Sequence, residues 1–400
     1  MKSYVIIGGG IAGVSAVEGI RSVDGEGKIT LVSSEKTCAY SRPLISYYLE
    51  GKAKLDTMGY RESDFFDKNG VTVLRGVSAE RLEPESGSVV LSDGQKLSYD
   101  ALCVAAGSSP FVPPFSGLDT VEKKFSFMTI DDALSLEKEL GADKRVLIIG
   151  AGLIGLKCAE GIRDRVKSVT VADLAPHALS SILTPESAEI VERHLEKSGI
   201  ELLLGDTADS FDGNSAYMRS GRTVEFDILV LAVGVRANTA LVKAVGGEVN
   251  RGILINGKME TSIPGVFSAG DCAEFKSGVL AILPAAHIGG FTAGVNMAGG
   301  SECYADPVKM NSIGLFGLHI MTAGLYEGDA LGDPDRRFFV KDGYLSGFIL
   351  IGGVEKAGIY TSLMRDKTPL DTIDFDAVMR SPSLLPFGRE YRKEKLGGAV

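Results

Sequence analysis

The hydrophobic pattern of the chain consists of short apolar runs that end in glycine-rich turns and continue into stretches with helical spacing. Residues 4–7 and 145–149 are mostly apolar at consecutive positions, which predicts strands buried on both faces of a parallel sheet. Residues 28–32 and 168–172 predict the next strand in each case. The order strand, turn, helix, strand therefore occurs twice and predicts an α/β fold with two similar repeats.

Both of the leading strands run directly into a glycine fingerprint. The fingerprints share the spacing GxGxxG and consist of Gly8, Gly9, Gly10, Ile11, Ala12 and Gly13 and of Gly150, Ala151, Gly152, Leu153, Ile154 and Gly155. Glycines in this pattern let backbone N–H groups at a helix N-terminus approach a diphosphate that a Cβ atom would push away. A single fingerprint is equally compatible with an ordinary glycine-rich turn. Its recurrence in the same context favours two dinucleotide-binding sites.

Each repeat also carries an acidic residue and a closing strand in equivalent places. Glu35 and Asp173 follow the second strand of their repeats, where a carboxylate can accept hydrogen bonds from ribose hydroxyls. Residues 99–107 and 226–234 both contain an aromatic residue, an aspartate, an apolar strand and a glycine in that order. This agreement predicts a diverged internal duplication.

The remaining pattern predicts a linker, a further ligand-side carboxylate and a third, smaller part. Residues 110–114 are rich in proline and predict a linker after the first repeat. A strand within 261–271 ends in Gly270 and Asp271, at the sheet edge where ligands of open α/β folds bind. Residues 337–351 predict a hairpin, and with a helix at 356–365 they indicate a separate α+β domain.

The charge of the chain limits its partners. The 400 residues carry a formal net charge of −10, and the pI is near 5.1. An acidic protein repels phosphate backbones and anionic lipids, which argues against nucleic acid and membranes as partners. No apolar run approaches the roughly 18 residues that span a bilayer, and the apolar N-terminus is the first strand rather than a signal peptide. We therefore expect a cytoplasmic protein.

Cysteine and histidine positions do not indicate metal or disulfide chemistry. The five cysteines are odd in number, show no CxxC spacing and lie at Cys38, Cys103, Cys158, Cys272 and Cys303. The histidines form no spaced cluster, so no metal site is predicted. Cys103 and Cys158 are expected in the core, whereas Cys38 is a candidate for single-cysteine redox chemistry.

The fingerprints, acids and closing strands together resemble the FAD-dependent pyridine nucleotide-disulfide oxidoreductase superfamily over about residues 1–320. Within it, the segment Tyr40-Ser41-Arg42-Pro43-Leu44-Ile45-Ser46 resembles the branch of rubredoxin reductases, nitrite reductase NADH modules and apoptosis-inducing factor. The C-terminal part is similar to the rubredoxin reductase type. The resemblance implies a flavoprotein oxidoreductase with FAD at the first fingerprint and NADH or NADPH at the second.

The resemblance also implies a domain order. Two Rossmann-like domains would bind FAD and NAD(H), with the FAD domain discontinuous at 1–112 and 244–322 and the NAD(H) domain at 113–243. Residues 323–400 would form a small α+β C-terminal domain. A homodimer is left open.

The cofactor contacts can be assigned residue by residue from this resemblance. The FAD contacts comprise the fingerprint, the ribose pair, the flavin-side loop, an adenine contact, the pyrophosphate-side turn, the ribityl acceptor and a helix aimed at the flavin: Gly8, Gly10, Ile11, Ala12, Gly13, Ser34, Glu35, Arg42, Pro43, Val77, Ala105, Ala106, Gly107, Gly270, Asp271 and Ala285. The NAD(H) contacts are Gly150, Gly152, Leu153, Ile154, Gly155, Asp173 and Gly234. No catalytic side-chain acid or base is expected, because the flavin carries the chemistry.

Some residues depart from the family pattern. Ser34 stands where relatives often have an acid, and Lys157 stands where many have a glutamate near the nicotinamide. Arg42 and Lys157 are therefore candidate modulators, although Lys157 is equally well interpreted as a solvated helix lysine. Asp173 favours NADH, because a carboxylate repels a 2′-phosphate and no arginine follows it.

The electron acceptor is open at this point. The Arg42 segment takes the place of the family's redox cysteines, so dithiol chemistry is not expected. A small redox protein such as rubredoxin is the leading acceptor. Charged runs are more often solvated faces, but basic residues could also dock an acidic redox protein. The basic residues considered for this docking are Arg336, Arg337, Arg389, Arg392, Lys393 and Lys395. The alternatives are an NADH oxidase that reduces dioxygen, an NADH-sensing flavoprotein with little turnover and, less favoured, a coenzyme A disulfide reductase or peroxidase using Cys38.

Overall fold

The structure is a computed structural model that describes residues 1–37 and 39–388. It contains two compact units, each assembled from separate stretches of chain. The first comprises Met1–Pro113, Phe125–Leu140 and Val233–Pro307. The second comprises Pro114–Lys124, Gly141–Ala232 and the described residues from Val308 onward. The domain boundaries drawn from the sequence stay predictions.

The α-helices of the described residues occur in both units. In chain order they are α1 (Ile11–Val23), α2 (Ile45–Leu49), α3 (Phe65–Lys68), α4 (Ile130–Glu137), α5 (Leu153–Ile162), α6 (Pro185–Lys197), α7 (Ala240–Lys243), α8 (Leu283–Met297), α9 (Gly358–Arg365) and α10 (Phe375–Arg380). Both helices that begin within a fingerprint, α1 and α5, have a glycine as N-cap. Within residues 1–37 and 39–388, no helix is long and apolar enough to cross a membrane.

The first unit is built on a parallel five-stranded sheet. Its strand order is Val266–Ser268, Ala101–Val104, Ser3–Ile7, Lys28–Ser33 and Val71–Arg75. Consecutive apolar residues of the inner strands Ala101–Val104 and Ser3–Ile7 are buried, as the pattern predicts, whereas only Val71 is buried in the edge strand Val71–Arg75. Smaller strands accompany this sheet: Ala79–Glu83, Ser88–Leu91 and Lys96–Ser98 form one antiparallel sheet, Ser108–Pro110 pairs with Val235–Ala237, and Ile253–Leu254 pairs with Ala273–Glu274.

Helices α1 and α8 of the first unit pack with their backbones in direct contact. A Cβ atom on Gly290 would lie 2.1 Å from the carbonyl oxygen of Ala12, and one on Gly294 would lie 2.1 Å from that of Ala16. Only glycine allows this approach. The contact fixes α8 beside the helix that starts at the first fingerprint.

The second unit repeats this arrangement. Its main sheet has the order Ile200–Leu204, Ser168–Asp173, Arg145–Ile149, Ile228–Leu231 and Lys124–Phe125. In both sheets the fingerprint strand lies between the strand that follows its helix and the closing strand of the repeat. A small antiparallel sheet is formed by Ala208–Asp212, Ser215–Met218 and Thr223–Glu225. The predicted α/β class with two Rossmann-like parts is confirmed.

The C-terminal part is an antiparallel five-stranded sheet with two helices. Its strand order is Met310–Leu315, Leu318–Gly324, Tyr344–Ile351, Arg336–Lys341 and Asp329–Asp333. The hairpin predicted within 337–351 is present, and Phe338, Phe348 and Tyr360 form its core with α9 and α10. The predicted small α+β part is confirmed.

Candidate functional site

A cavity of about 460 Å³ lies at the carboxyl edge of the first sheet, against the start of α1. Most of the residues assigned to FAD from the sequence lie in its wall. These are Gly8, Gly10, Ile11, Ala12, Ser34, Glu35, Arg42, Val77, Ala105, Ala106, Gly107, Gly270 and Asp271. The fold therefore brings together residues that are up to 263 positions apart in the chain, from Gly8 to Asp271.

Three of the residues assigned to FAD do not line this cavity. Gly13 instead allows the first turn of α1 to meet the loop, since a Cβ atom there would lie 1.9 Å from the carbonyl oxygen of Gly8. Pro43 lies in a short 3₁₀ turn beside Arg42. Ala285 is buried in α8, and its neighbours Leu283 and Ala286 contribute to the wall. Other residues of the first turn of α8 than Ala285 therefore line the cavity, and the contact of Ala285 with FAD stays a prediction.

The glycine loop leaves room for a ligand at the start of α1. Gly8 has φ +121°, and a Cβ atom on it would lie 2.0 Å from the carbonyl oxygen of Ala105. By contrast, a Cβ atom on Gly10 would meet no atom within 4 Å. No side chain of the described residues caps the helix at this end. Free N–H groups beside open space fit the pyrophosphate of FAD.

An ion pair between Arg42 and Glu35 lies in the wall of the cavity. Arg42 donates to one oxygen of Glu35 at 2.5 Å and to the carbonyl oxygen of Met128 at 2.9 Å. Tyr40, whose pKa is raised by burial, donates its hydroxyl proton to the other oxygen of Glu35 at 2.5 Å. Each carboxylate oxygen has a second lone pair, so Glu35 can still accept from a ribose hydroxyl. The pair also neutralises the charge of Arg42.

Asp271 contributes a buried carboxylate to the wall of this cavity. Burial raises the pKa of Asp271, and the hydroxyl of Ser108 donates to it at 3.1 Å. A buried carboxylate needs further donors to remain charged. The ribityl hydroxyls of FAD would supply these donors, so the buried carboxylate of Asp271 fits this cofactor as well.

Other wall residues were not identified from the sequence. They include Tyr60, Met128, Asn238, Leu241, Leu283 and Ala286. Asn238 donates from its side chain to the carbonyl oxygen of Ala106 at 2.9 Å and from its backbone to that of Gly107 at 3.0 Å. The loop at 105–107 is thereby held in place by a residue 131 positions beyond Gly107. Gly234, which the resemblance assigns to NAD(H), lies shortly before Asn238 and belongs to the first unit.

The second unit contains an equivalent glycine loop at the start of α5. A Cβ atom on Gly155 would lie 1.9 Å from the carbonyl oxygen of Gly150, whereas one on Gly152 would meet no atom within 4 Å. Asp173 lies beside this loop and accepts from the N–H of Ala151 at 2.6 Å and from that of Ala175 at 2.8 Å. Its carboxylate is therefore fixed next to the loop by two backbone donors.

Lys157 is not a solvated helix lysine. It forms an ion pair with the buried Glu160 and donates to the carbonyl oxygen of Gly314 at 3.2 Å, and only 16% of its side chain is exposed. The positive charge is therefore neutralised within the protein. A role of Lys157 toward the nicotinamide stays a prediction.

None of the cysteines that the structure describes is among the residues that line the cavity. Cys103, Cys158 and Cys272 are buried, and burial raises the pKa of each thiol. Cys303 is exposed, and Cys38 lies outside the described residues. In residues 1–37 and 39–388 no three potential ligands form a metal-binding group.

The basic residues considered for docking have internal partners or lie beyond the described chain. Arg337 pairs with Glu186 at 2.9 Å, and Arg336 donates to the hydroxyl of Tyr360 at 2.9 Å. The basic tail lies outside the described residues, at Arg389, Arg392, Lys393 and Lys395. At least some of the hydrogen-bond donors of Arg336 and Arg337 are therefore engaged within the chain and not available to a docking partner.

The model of the pyridine nucleotide-disulphide oxidoreductase family matches residues 2–290, which span both glycine loops. The chain belongs to this family. The predicted superfamily is confirmed, and FAD and a nicotinamide dinucleotide are its cofactors. This family member is a flavin-dependent NAD(P)H oxidoreductase.

Relatives share most of the length of this family member. It is 33% identical over 340 residues to an NADH oxidase of Methanocaldococcus jannaschii, covering 80% of this chain and 75% of the relative. It is 29% identical over 389 residues to the epsilon subunit of NADH-dependent phenylglyoxylate dehydrogenase of Aromatoleum evansii, covering 92% of both. A crystal structure of the covalent putidaredoxin reductase-putidaredoxin complex shares its fold, with a TM-score of 0.85, 23% identity and coverage of 100% and 98%.

Proposed function

We propose that the protein transfers a hydride from NADH to FAD and then passes the electrons to a small redox protein. The cavity wall supports this proposal most directly, because none of the described residues that line it is a cysteine. Without a pair of thiols in the described part of that wall, electrons have no route through a protein disulfide. They must go from the flavin to an external acceptor.

Bound FAD supplies the redox chemistry, since the flavin accepts two electrons with a hydride and can release them one at a time. In the proposed arrangement the loop containing Gly8 and Gly10 binds the FAD pyrophosphate, Ser34 and Glu35 bind the ribose, and Asp271 accepts from the ribityl chain. Val77 contacts the adenine, and the turn at 105–107 borders the pyrophosphate. The chain's task is to bind and align the two cofactors.

The second loop would bind the nicotinamide dinucleotide. The N–H groups at the start of α5 face the open space beside Gly152 and can bind its pyrophosphate. Leu153, Ile154 and Gly155 form the first turn of that helix. Asp173, which is held next to the loop, would accept from the adenosine ribose.

We expect a clear preference for NADH over NADPH. A 2′-phosphate beside the carboxylate of Asp173 would suffer charge repulsion, so kcat/KM should be at least about tenfold higher with NADH, a difference of about 1.4 kcal/mol. Steady-state rates with ferricyanide measure both values. The variant Asp173→Asn should reduce the ratio, because it removes the charge and retains the shape. Equal kcat/KM values for the two donors in the wild type would contradict the assignment.

The reduced flavoprotein should transfer electrons to a small redox protein faster than to dioxygen. The solved structure of putidaredoxin reductase in covalent complex with putidaredoxin, which shares this fold, supports an acceptor of this kind. After anaerobic bleaching with NADH, stopped-flow mixing with rubredoxin should reoxidise the flavin at least about tenfold faster than air-saturated buffer. This ratio corresponds to about 1.4 kcal/mol in activation free energy.

A second candidate, reduction of dioxygen, is favoured by the similarity to an NADH oxidase. It predicts the opposite result in the same experiment. Rapid oxygen consumption with NADH alone, together with slow transfer to rubredoxin, would replace the proposed acceptor with dioxygen. The assignment of the two cofactor sites would be unaffected.

A further inference from the structure

A buried ion pair on α5 grips the turn between the first two strands of the C-terminal sheet. One oxygen of Glu160 accepts from the backbone N–H of Phe316 at 2.5 Å, and the other pairs with Lys157. Lys157 also donates to the carbonyl oxygen of Gly314 at 3.2 Å. Only 6% of the Glu160 side chain is exposed, and a buried carboxylate is tolerated only when it is paired and hydrogen-bonded. Removing only one member of the pair would therefore leave an unpaired buried charge.

A histidine on α6 holds the same turn from a second direction. Nε2 of His194 lies 3.1 Å from the carbonyl oxygen of Leu315 and 3.1 Å from that of Phe316. Carbonyl oxygens only accept hydrogen bonds, so Nε2 must carry the proton. We refer to Lys157, Glu160 and His194 as the clamp.

The backbone of the clamped turn is in an unusual conformation. Phe316 has φ +48°, a left-handed conformation that bulky residues rarely adopt, and Gly317 follows with φ +83°. Such a conformation persists only where the surrounding structure imposes it. The side chains that contact the turn come from α5 and α6, the helices of the dinucleotide-binding sheet.

The clamp lies close to the glycine loop along the same helix. Lys157 is about one helical turn, and Glu160 about two turns, beyond Leu153, the first residue of α5. The N–H groups at the start of this helix can bind a pyrophosphate only if the helix axis points at it. Fixing the second and third turns of α5 to the turn at 314–317 therefore fixes the direction of those donors.

We infer that the clamp positions α5 for binding of the nicotinamide dinucleotide, so that its three side chains are positioning residues for the reaction. The inference rests on the proposed NADH site at the loop of Gly150–Gly155. It assigns Lys157 a role through Glu160 and the turn, without direct contact with the nicotinamide. Loosening the clamp should weaken NADH binding while the hydride-transfer rate at saturation is retained.

The test removes both charges together, so that no unpaired charge is left buried. In the double variant Lys157→Met/Glu160→Leu, KM for NADH with ferricyanide should rise about tenfold, while kcat stays within about twofold and the FAD content per chain is unchanged. The conservative pair Lys157→Gln/Glu160→Gln keeps the hydrogen bonds and should restore most of the lost affinity. A matched control is Glu189→Gln/Arg193→Gln, an exposed pair on α6 with a 3.7 Å separation, which should leave KM unchanged.

A second measurement needs no variant. Because coupling between two sites is reciprocal, NAD⁺ binding should slow hydrogen exchange of the Phe316 amide severalfold in the wild type. An unchanged KM in the Met/Leu variant, or exchange at Phe316 that is insensitive to NAD⁺, would overturn the inference while leaving the proposed function intact. A wild-type protein whose flavin is not reduced by NADH would overturn the proposed function and the inference with it.

Discussion

Gly10→Ala is expected to give a folded protein that does not retain FAD. The new Cβ atom meets no protein atom within 4 Å, so nothing in the chain resists the substitution. It projects instead into the space where the pyrophosphate must approach the N–H groups of α1. We expect FAD affinity to fall at least about 100-fold, or about 2.7 kcal/mol. Fluorescence titration of the apoprotein with FAD measures the loss.

Substitutions at two other glycines, Gly25 and Gly13, serve as controls for Gly10→Ala. A Cβ atom on Gly25 would also meet no atom within 4 Å, and Gly25 lies outside the cavity wall, so Gly25→Ala should retain FAD fully. Gly13→Ala should fail differently, because its Cβ atom would lie 1.9 Å from the carbonyl oxygen of Gly8 and the loop itself must move. A Gly10→Ala protein that remains yellow after extensive dialysis would contradict the pyrophosphate assignment.

Gly152→Ala is expected to impair NADH binding while FAD binding is retained. Its Cβ atom also enters open space, now at the start of α5, so the fold and the FAD cavity should be unaffected. NADH should bind at least about 100-fold more weakly, or about 2.7 kcal/mol. Anaerobic titration should therefore show a yellow protein that NADH no longer bleaches at concentrations that reduce the wild type.

Dithionite provides the internal control for this variant, since it reduces flavin without a dinucleotide site. Full bleaching by dithionite together with failure of NADH is the expected pair of results. Gly358→Ala is the matched substitution in the same unit, because that Cβ atom also meets nothing within 4 Å, and it should behave as the wild type. If NADH reduced the flavin of Gly152→Ala as readily as that of the wild type, the assignment of the nicotinamide dinucleotide to this loop would be contradicted.

Much of the fold could be predicted because its signals are local. The same glycine spacing follows an apolar strand at Gly8–Gly13 and at Gly150–Gly155, and this recurrence favours the same backbone arrangement in both places. The positions of the acids Glu35 and Asp173 could be predicted because each lies at or shortly after the end of the second strand of its repeat. These features depend on residues close together in sequence, so spacing alone locates them.

The contacts that were missed are those between distant residues. Asn238 supports the loop at 105–107 from far along the chain, and nothing in its neighbourhood in the sequence indicates that partner. The partner of Lys157 was missed for another reason. Glu160 lies only three positions away on the same helix, but it accepts from the backbone N–H of Phe316, a residue 156 positions further along the chain.

The environment of Arg42 could not be predicted from its segment of the sequence. The resemblance assigns Arg42 to the flavin-side loop, and this assignment stays a prediction. Arg42 lies in the cavity wall, but Glu35 neutralises it and Met128 accepts its second hydrogen bond. The sequence contains both charges, and only the fold shows that they meet.

The backbone contact between α1 and α8 has a consequence for the dimensions of the FAD cavity. Side chains change rotamers readily, so a wall spaced by large side chains varies in width from moment to moment. Here the spacing is set by main-chain atoms at Gly290 and Gly294, which have no rotamers. Backbone contact therefore sets the distance between the two helices, and the residues of α1 and α8 that line the cavity keep their separation without depending on side-chain rotamers.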